Sequence, residues 1–204
     1  MGDLEHYLML KYVGYLLVLG TAASGVWAGC TSEDYSPKPR GYFRITFPEK
    51  TYQRFSGDCP YTFDFPAYAA IEPDQTADAQ PCWVDVWFPQ FNARIHLSYM
   101  PVHNREIFNE LVEDARTFAF NHTVKATAID QHRIDRPDDG VYGLKYDIKG
   151  NTASSVQFFV TDSTRHYLRG ALYFNEKPRL DSIQPVLDFI RADIDTLIQS
   201  LRWK

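Results

Sequence analysis

Three cysteines and six histidines carry most of the chemistry that this 204-residue sequence has to offer. Cys30 directly follows the small pair Ala28-Gly29 at the end of an apolar run, where a thiol is placed for acylation. Cys59 and Cys82 remain, and two thiols in an exported protein form a natural disulfide. That bridge would close a loop of about 24 residues, which corresponds to ~3.4 kcal/mol in the chain-entropy model. Two buried free thiols are the alternative. Of the histidines, His6 lies near the start. His96, His103, His122, His132 and His166 show neither HExxH nor His-x-His spacing, so no metal site is read from them. No GxSxG elbow is present, and Gly41 and Gly170 stand alone rather than in a phosphate-cradling loop. Carboxylates such as Asp64, Asp85, Glu110, Glu113 and Asp114 read as solvated charge. No catalytic residue is assigned, and no enzymatic activity is expected.

Aromatic side chains offer a different chemistry. Trp83, Trp87 and Phe91 flank an alternating stretch around Val84 and Val86, with Trp87 on the phase opposite Val86. An outward indole stacks on a sugar or anchors a protein partner, so these three are the candidate contacts for a partner or glycan. Packing beneath a loop or helix is the competing reading.

The segment that would deliver Cys30 to an acylating enzyme is the apolar run Tyr12–Trp27, preceded by Lys11. Sixteen residues suit a signal-peptide core and are short for a spanning helix, which needs ~20. The closing WAGC resembles a bacterial lipobox, with Trp27 where an aliphatic residue is usual. Residues 1–29 are therefore read as a signal peptide. Initiation at Met9 would give MLKYVGYLLVLG, a basic-then-apolar start without Asp3 and Glu5. An uncleaved anchor with Cys30 as a bystander is the alternative. The acyl chains on Cys30 would contribute ~0.8 kcal/mol per buried methylene, and several chains hold a protein at a membrane durably. Thr31–Arg40 (TSEDYSPKPR) reads as a proline-stiffened tether, with residues 30–40 forming the lipidated, flexible leader of the domain.

The remainder, residues 41–204, reads as one α+β domain. The sequence is 45% hydrophobic with 14 Phe, 13 Tyr and 4 Trp, a composition that excludes disorder. Its net charge of −5 provides no general attraction to nucleic acid. Alternation places strands at Gly41–Phe47, around Phe63, around Val86, around Leu97, more weakly at Ala126–Ile134, and around Tyr146. Val156–Val160 and Leu168–Phe174 flank the polar TDST as a hairpin. Ala69–Pro81 reads as turns. Helical spacing of Ile107, Leu111, Ala115, Phe118 and Ala119 predicts a helix over Arg105–Asn121, with Asn104 as its N-cap. A second stripe, from Ile183 to Leu201, predicts a helix over Ser182–Leu201, with Asp181 and Gln184 at capping-box spacing. The order points to a mainly antiparallel sheet covered by two helices, similar to the PsbP/Mog1-like arrangement.

Four stretches together resemble the gliding motility lipoprotein GldD family of Bacteroidota: YSPKPRGYFRITFPEK (35–50), CPYTFDFPAYAAI (59–71), PCWVDVWFPQFNARIHLSY (81–99) and VYGLKYDIKGNTASSVQFFVTDSTRHYLRGALYF (141–174). The resemblance implies a lipid-anchored envelope protein required for gliding, set in the apparatus shared by gliding and type IX secretion. Lipoproteins such as GldB, GldH, GldJ and GldK belong to that setting, and GldJ or GldK are the expected partners. Only Cys30 takes over a defined role, as the residue carrying diacylglycerol and an N-acyl group. The family brings no catalytic residues, no further cofactor and no nucleic acid. Cys59 and Cys82 fall inside the matched stretches, which supports their pairing. The expected location is the outer membrane, on its periplasmic face. Ser32-Glu33-Asp34 also resembles the phylum's surface-export signal, which keeps surface exposure open.

The expected role is thus a non-enzymatic adaptor. Two rivals stand beside it. A lipoprotein that acts on or binds peptidoglycan or polysaccharide would place Trp83 or Trp87 in the wall of a pocket. A carrier for lipid or lipoprotein cargo would need an apolar cavity between sheet and helices.

Overall fold

The computed structural model describes residues 45–175 and 180–204. The expected signal peptide, Cys30, the expected tether and most of the expected strand Gly41–Phe47 lie outside the described residues. The part of that strand that is described, together with the residues up to Lys50, carries no strand pairing. The alternating Ile45 and Phe47 belong instead to an irregular segment, and Phe47 stacks on Phe189 at 4.5 Å between ring centroids.

Among the described residues, ten strands and two α-helices follow. They are β1 (Tyr52–Phe55), β2 (Tyr61–Pro66), β3 (Ala70–Pro73), β4 (Val84–Phe88), β5 (Ala93–Pro101), α1 (Arg105–Phe120), β6 (Ala126–Arg136), β7 (Val141–Gly150), β8 (Ser154–Thr161), β9 (His166–Phe174), α2 (Leu180–Ser200) and β10 (Arg202–Trp203). Seven strands form one antiparallel sheet in the order β3-β4-β5-β9-β8-β7-β6, and β1-β2-β10 form a smaller one. The architecture is α+β, as the element order implies. β3 emerges from the segment read as turns, and β10 continues the chain after α2; neither shows a periodicity long enough to read.

Strand alternation divides the large sheet into two faces. The inner face presents Val86, Ile95, Phe158 and Leu172, and packs against Leu187, Ile190, Ile194 and Leu197 of α2 and Phe63 of β2. The apolar stripe that predicted α2 is what it buries. The helix begins at Leu180, so Asp181 lies within it rather than at its N-cap. On the outer face, Tyr146, Ile148, Phe159 and Tyr167 pack beneath Ala115 and Ala119 of α1. Asn104 caps α1 by accepting the Ile107 N–H at 2.8 Å, and the Tyr167 hydroxyl donates to Leu111 O at 2.9 Å. α1 therefore covers the β6–β9 half of the outer face. The outer side of β4 and β5 stays half-exposed.

Candidate functional site

The uncovered half-face is built from two cross-strand pairs. The β4–β5 register sets Asp85 opposite His96 and Trp87 opposite Arg94. In antiparallel strands, directly opposed residues project from the same face, so these four side chains gather outside while Val84, Val86, Ile95 and Leu97 go inside. Glu72 joins them from β3, where it sits opposite Asp85, and Tyr173 approaches from β9, its ring 5.4 Å from that of His96.

Asp85 is the hub of this group. It is 7% exposed, yet both of its oxygens are engaged. Oδ1 lies 2.5 Å from His96 Nδ1, and Oδ2 lies 3.4 Å from Arg94 Nη1. Arg94 also donates to Glu72 Oε2 at 2.7 Å. That hydrogen bond leads the effects that raise the guanidinium's pKa further, so its charge is permanent. The guanidinium carbon lies 4.5 Å from the centre of the Trp87 ring, a cation–π stack. A carboxylate at Nδ1 orients the imidazole and holds a proton on that nitrogen. The carboxylates, Arg94 and His96 line an open cleft of about 330 Å³ together with Asp74 and Thr76. The group is rigid: each charged side chain is held by at least one other, so little side-chain freedom remains to be lost on binding.

The three aromatic candidates do not converge. Trp87 lies on the outer face with one side of its ring covered by Arg94. Trp83, just before β4, donates its indole N–H to Tyr99 O at 2.8 Å and ties that segment to β5. Phe91 packs among Phe47, Tyr68 and Phe189, with centroids 5.9, 6.4 and 5.6 Å away, half-buried against the inner core. Cys59 and Cys82 are joined as a disulfide, their Cα atoms 5.4 Å apart. The Tyr61 hydroxyl donates to Cys82 O at 2.7 Å and ties the bridge to β2. Cys30 lies outside the described residues.

Sequence reasoning did not assign Glu72, Arg94 or His96. Each reads alone as surface charge, and only the register shows that they meet. The other histidines are dispersed: His122 against Gln157, His132 against Asp147, His166 against Tyr99. Among the described residues, no three His, Cys, Asp or Glu side chains converge on a point where a metal ion could sit. Among the same residues, no helix is long and apolar enough to cross a membrane.

The fold is similar to the solution structure of cyanobacterial PsbP (CyanoP) from Synechocystis sp. PCC 6803. The TM-score is 0.50 at 13% sequence identity, with 79% of this chain and 98% of that chain covered. At that identity the likeness concerns the fold alone. No curated protein matches the sequence. Residues 32–203 match the family model described as gliding motility lipoprotein GldD, and the chain belongs to that family.

Proposed function

We propose that this member of a gliding motility lipoprotein family is a non-enzymatic adaptor of the gliding and type IX secretion machinery. In this reading it is held by acyl chains on Cys30 at the outer membrane, on the periplasmic face, and the uncovered half-face binds another envelope lipoprotein such as GldJ or GldK. Lipid anchoring confines the domain to a surface and raises its effective concentration for such a partner. The observation that supports the reading best is the Trp87–Arg94 stack, held by Glu72 and Asp85 on a rigid sheet. Trp and Arg fixed in place are the side chains that dominate protein interfaces.

The same stack speaks against the glycan reading, because Arg94 occupies a ring face on which a sugar would lie. The carrier reading is opposed by packing: Val86, Ile95, Leu172, Ile190 and Ile194 fill the space between the large sheet and α2. The test is affinity capture from crosslinked envelopes. Recovery of gliding or secretion lipoproteins with the native chain, and their loss with Trp87→Ala at equal abundance, is the expected result. Capture that contains no such component would overturn the proposal.

A further inference from the structure

Among the described residues, three large hydrophobic side chains are exposed: Tyr52, Phe118 and Val124. The Tyr52 hydroxyl serves a buried carboxylate, Asp193. Phe118, 46% exposed, and Val124, 92% exposed, cluster at the C-terminal end of α1. Val124 does not hang on a loose loop. Thr123 N–H bonds to Phe120 O at 3.0 Å, and Lys125 and Ala126 N–H both bond to His122 O at 3.0 and 2.8 Å. The turn thus holds an aliphatic side chain out into solvent.

A cationic group stands beside each of these two side chains. The Arg169 guanidinium lies over the Phe118 ring at 4.5 Å and donates to Gln157 Oε1 at 3.0 Å. Neither Arg169 nor Lys125 has an ion-pair partner among the described residues, although the chain carries a net charge of −5. His122 and Lys125 line a shallow depression of about 240 Å³ beside Val124. The acidic residues of α1, Glu106, Glu110, Glu113 and Asp114, precede Phe118 along the helix, Asp114 one turn before it on the same face, and none follows it in α1.

We infer that this end of the domain rests on a phospholipid surface. Phe118 and Val124 would enter the headgroup region, while Arg169 and Lys125 meet lipid phosphates. Paired apolar and basic groups at one tip suit a water–lipid boundary, and a second membrane signal beside an acyl anchor makes binding durable. The inference rests on the lipid-anchored reading proposed above, and it fixes which end of the domain faces the membrane.

The experiment uses the full acylated chain reconstituted into vesicles of phosphatidylethanolamine and phosphatidylglycerol. An environment-sensitive fluorophore is placed at Val124→Cys, with Asp78→Cys as the exposed reference. Flotation with the vesicles, a blue shift at position 124 and its quenching by doxyl-labelled lipid are expected, with position 78 quenched instead by aqueous iodide. Phe118→Ser, or Arg169→Gln with Lys125→Gln, should return position 124 to iodide while the chain still floats. A chain that floats with position 124 as open to iodide as position 78 overturns the inference and leaves the anchor standing. Protection that appears only when envelope proteins are added overturns it too, in favour of a protein interface. A chain that does not float overturns both readings.

Discussion

Lys50 places its ammonium nitrogen 2.6 Å from Asp193 Oδ1, across a sequence separation of 143 residues, on a carboxylate that is 1% exposed. The same oxygen accepts from the Tyr52 hydroxyl at 2.9 Å, and Oδ2 accepts from the Tyr68 hydroxyl at 2.5 Å. Lys50 also donates to Phe189 O at 2.9 Å, with its charge 3.7 Å from the centre of the Phe189 ring. One buried charge thus gathers the segment before β1, the turn after β2 and α2.

Removing one partner of such a pair strands the other. Lys50→Met leaves a buried carboxylate with only two hydroxyl donors and should cost about 3 kcal/mol. Lys50→Met combined with Asp193→Leu removes both charges and should recover part of that loss. Urea unfolding midpoints at constant m measure both. A single variant within ~0.5 kcal/mol of the parent would show that solvent, not Lys50, satisfies Asp193.

The Cys59–Cys82 bridge lies across a sequence separation of 23 residues and anchors the segment between β2 and β4. Replacing both cysteines by serine should lower stability by up to ~3.4 kcal/mol, the chain-entropy value for that loop. Intact mass should rise by two hydrogen atoms on reduction. An unchanged mass would show two free thiols.

Two histidines give the fold a pH dependence. Burial holds both His122 and His166 below the ordinary imidazole value. Arg169 adds to the depression at His122; at His166, Asp162 opposes it and Arg165 adds to it. The unfolded chain therefore binds protons first as pH falls through about 6.5. Stability from these groups is complete above that pH and is lost below it, down to the folded values. Denaturation midpoints at pH 7.5 and pH 5 should fall further for the parent than for His122→Gln with His166→Gln. Equal drops would place the acid sensitivity elsewhere.

Gly143 and Gly170 mark where the sheet has no room. A Cβ on Gly170 would stand 2.2 Å from Phe158 Cζ, its cross-strand neighbour, and one on Gly143 would stand 1.9 Å from Phe159 O. Gly170→Ala should cost ~1–3 kcal/mol by overpacking, relieved in part by Phe158→Leu. Gly143→Ala meets backbone, so β7 and β8 would have to part, and no soluble folded chain is expected. Normal folding of Gly143→Ala would contradict this strand register.

Both helices are legible in the sequence because each buries one stripe: Ala115 and Ala119 in α1, Leu187 through Leu197 in α2. β4 and β5 are legible by alternation. β3 is hidden because its four residues gain their strand character only by pairing with β4. The alternation at Ile45 and Phe47 misleads, since Phe47 finds its apolar neighbour in α2 rather than across a ladder. The candidate site is hidden for a related reason. Asp85, Arg94 and His96 each look like polar positions on a half-buried strand, and their meeting depends on the β4–β5 register. That register is set by the alternation together with the turn Pro89–Asn92, so the facing pairs become readable only once the turn's geometry is known.

Arg94→Ala separates the two remaining uses of the half-face by sign. If the face binds a protein, removing Arg94 uncovers the Trp87 ring and leaves Glu72 and Asp85 without their cation. Capture of an envelope partner should then weaken by about 30-fold or more, matching a hot-spot loss of about 2 kcal/mol. If the face binds sugar, the same change exposes the ring and should strengthen retention on peptidoglycan or polysaccharide. Phe91→Leu serves as the packing control: it should lower stability by ~1 kcal/mol while capture is unchanged, because Phe91 packs against the inner core, away from the half-face. Stronger glycan retention by Arg94→Ala, with partner capture intact, would replace the adaptor with a glycan binder.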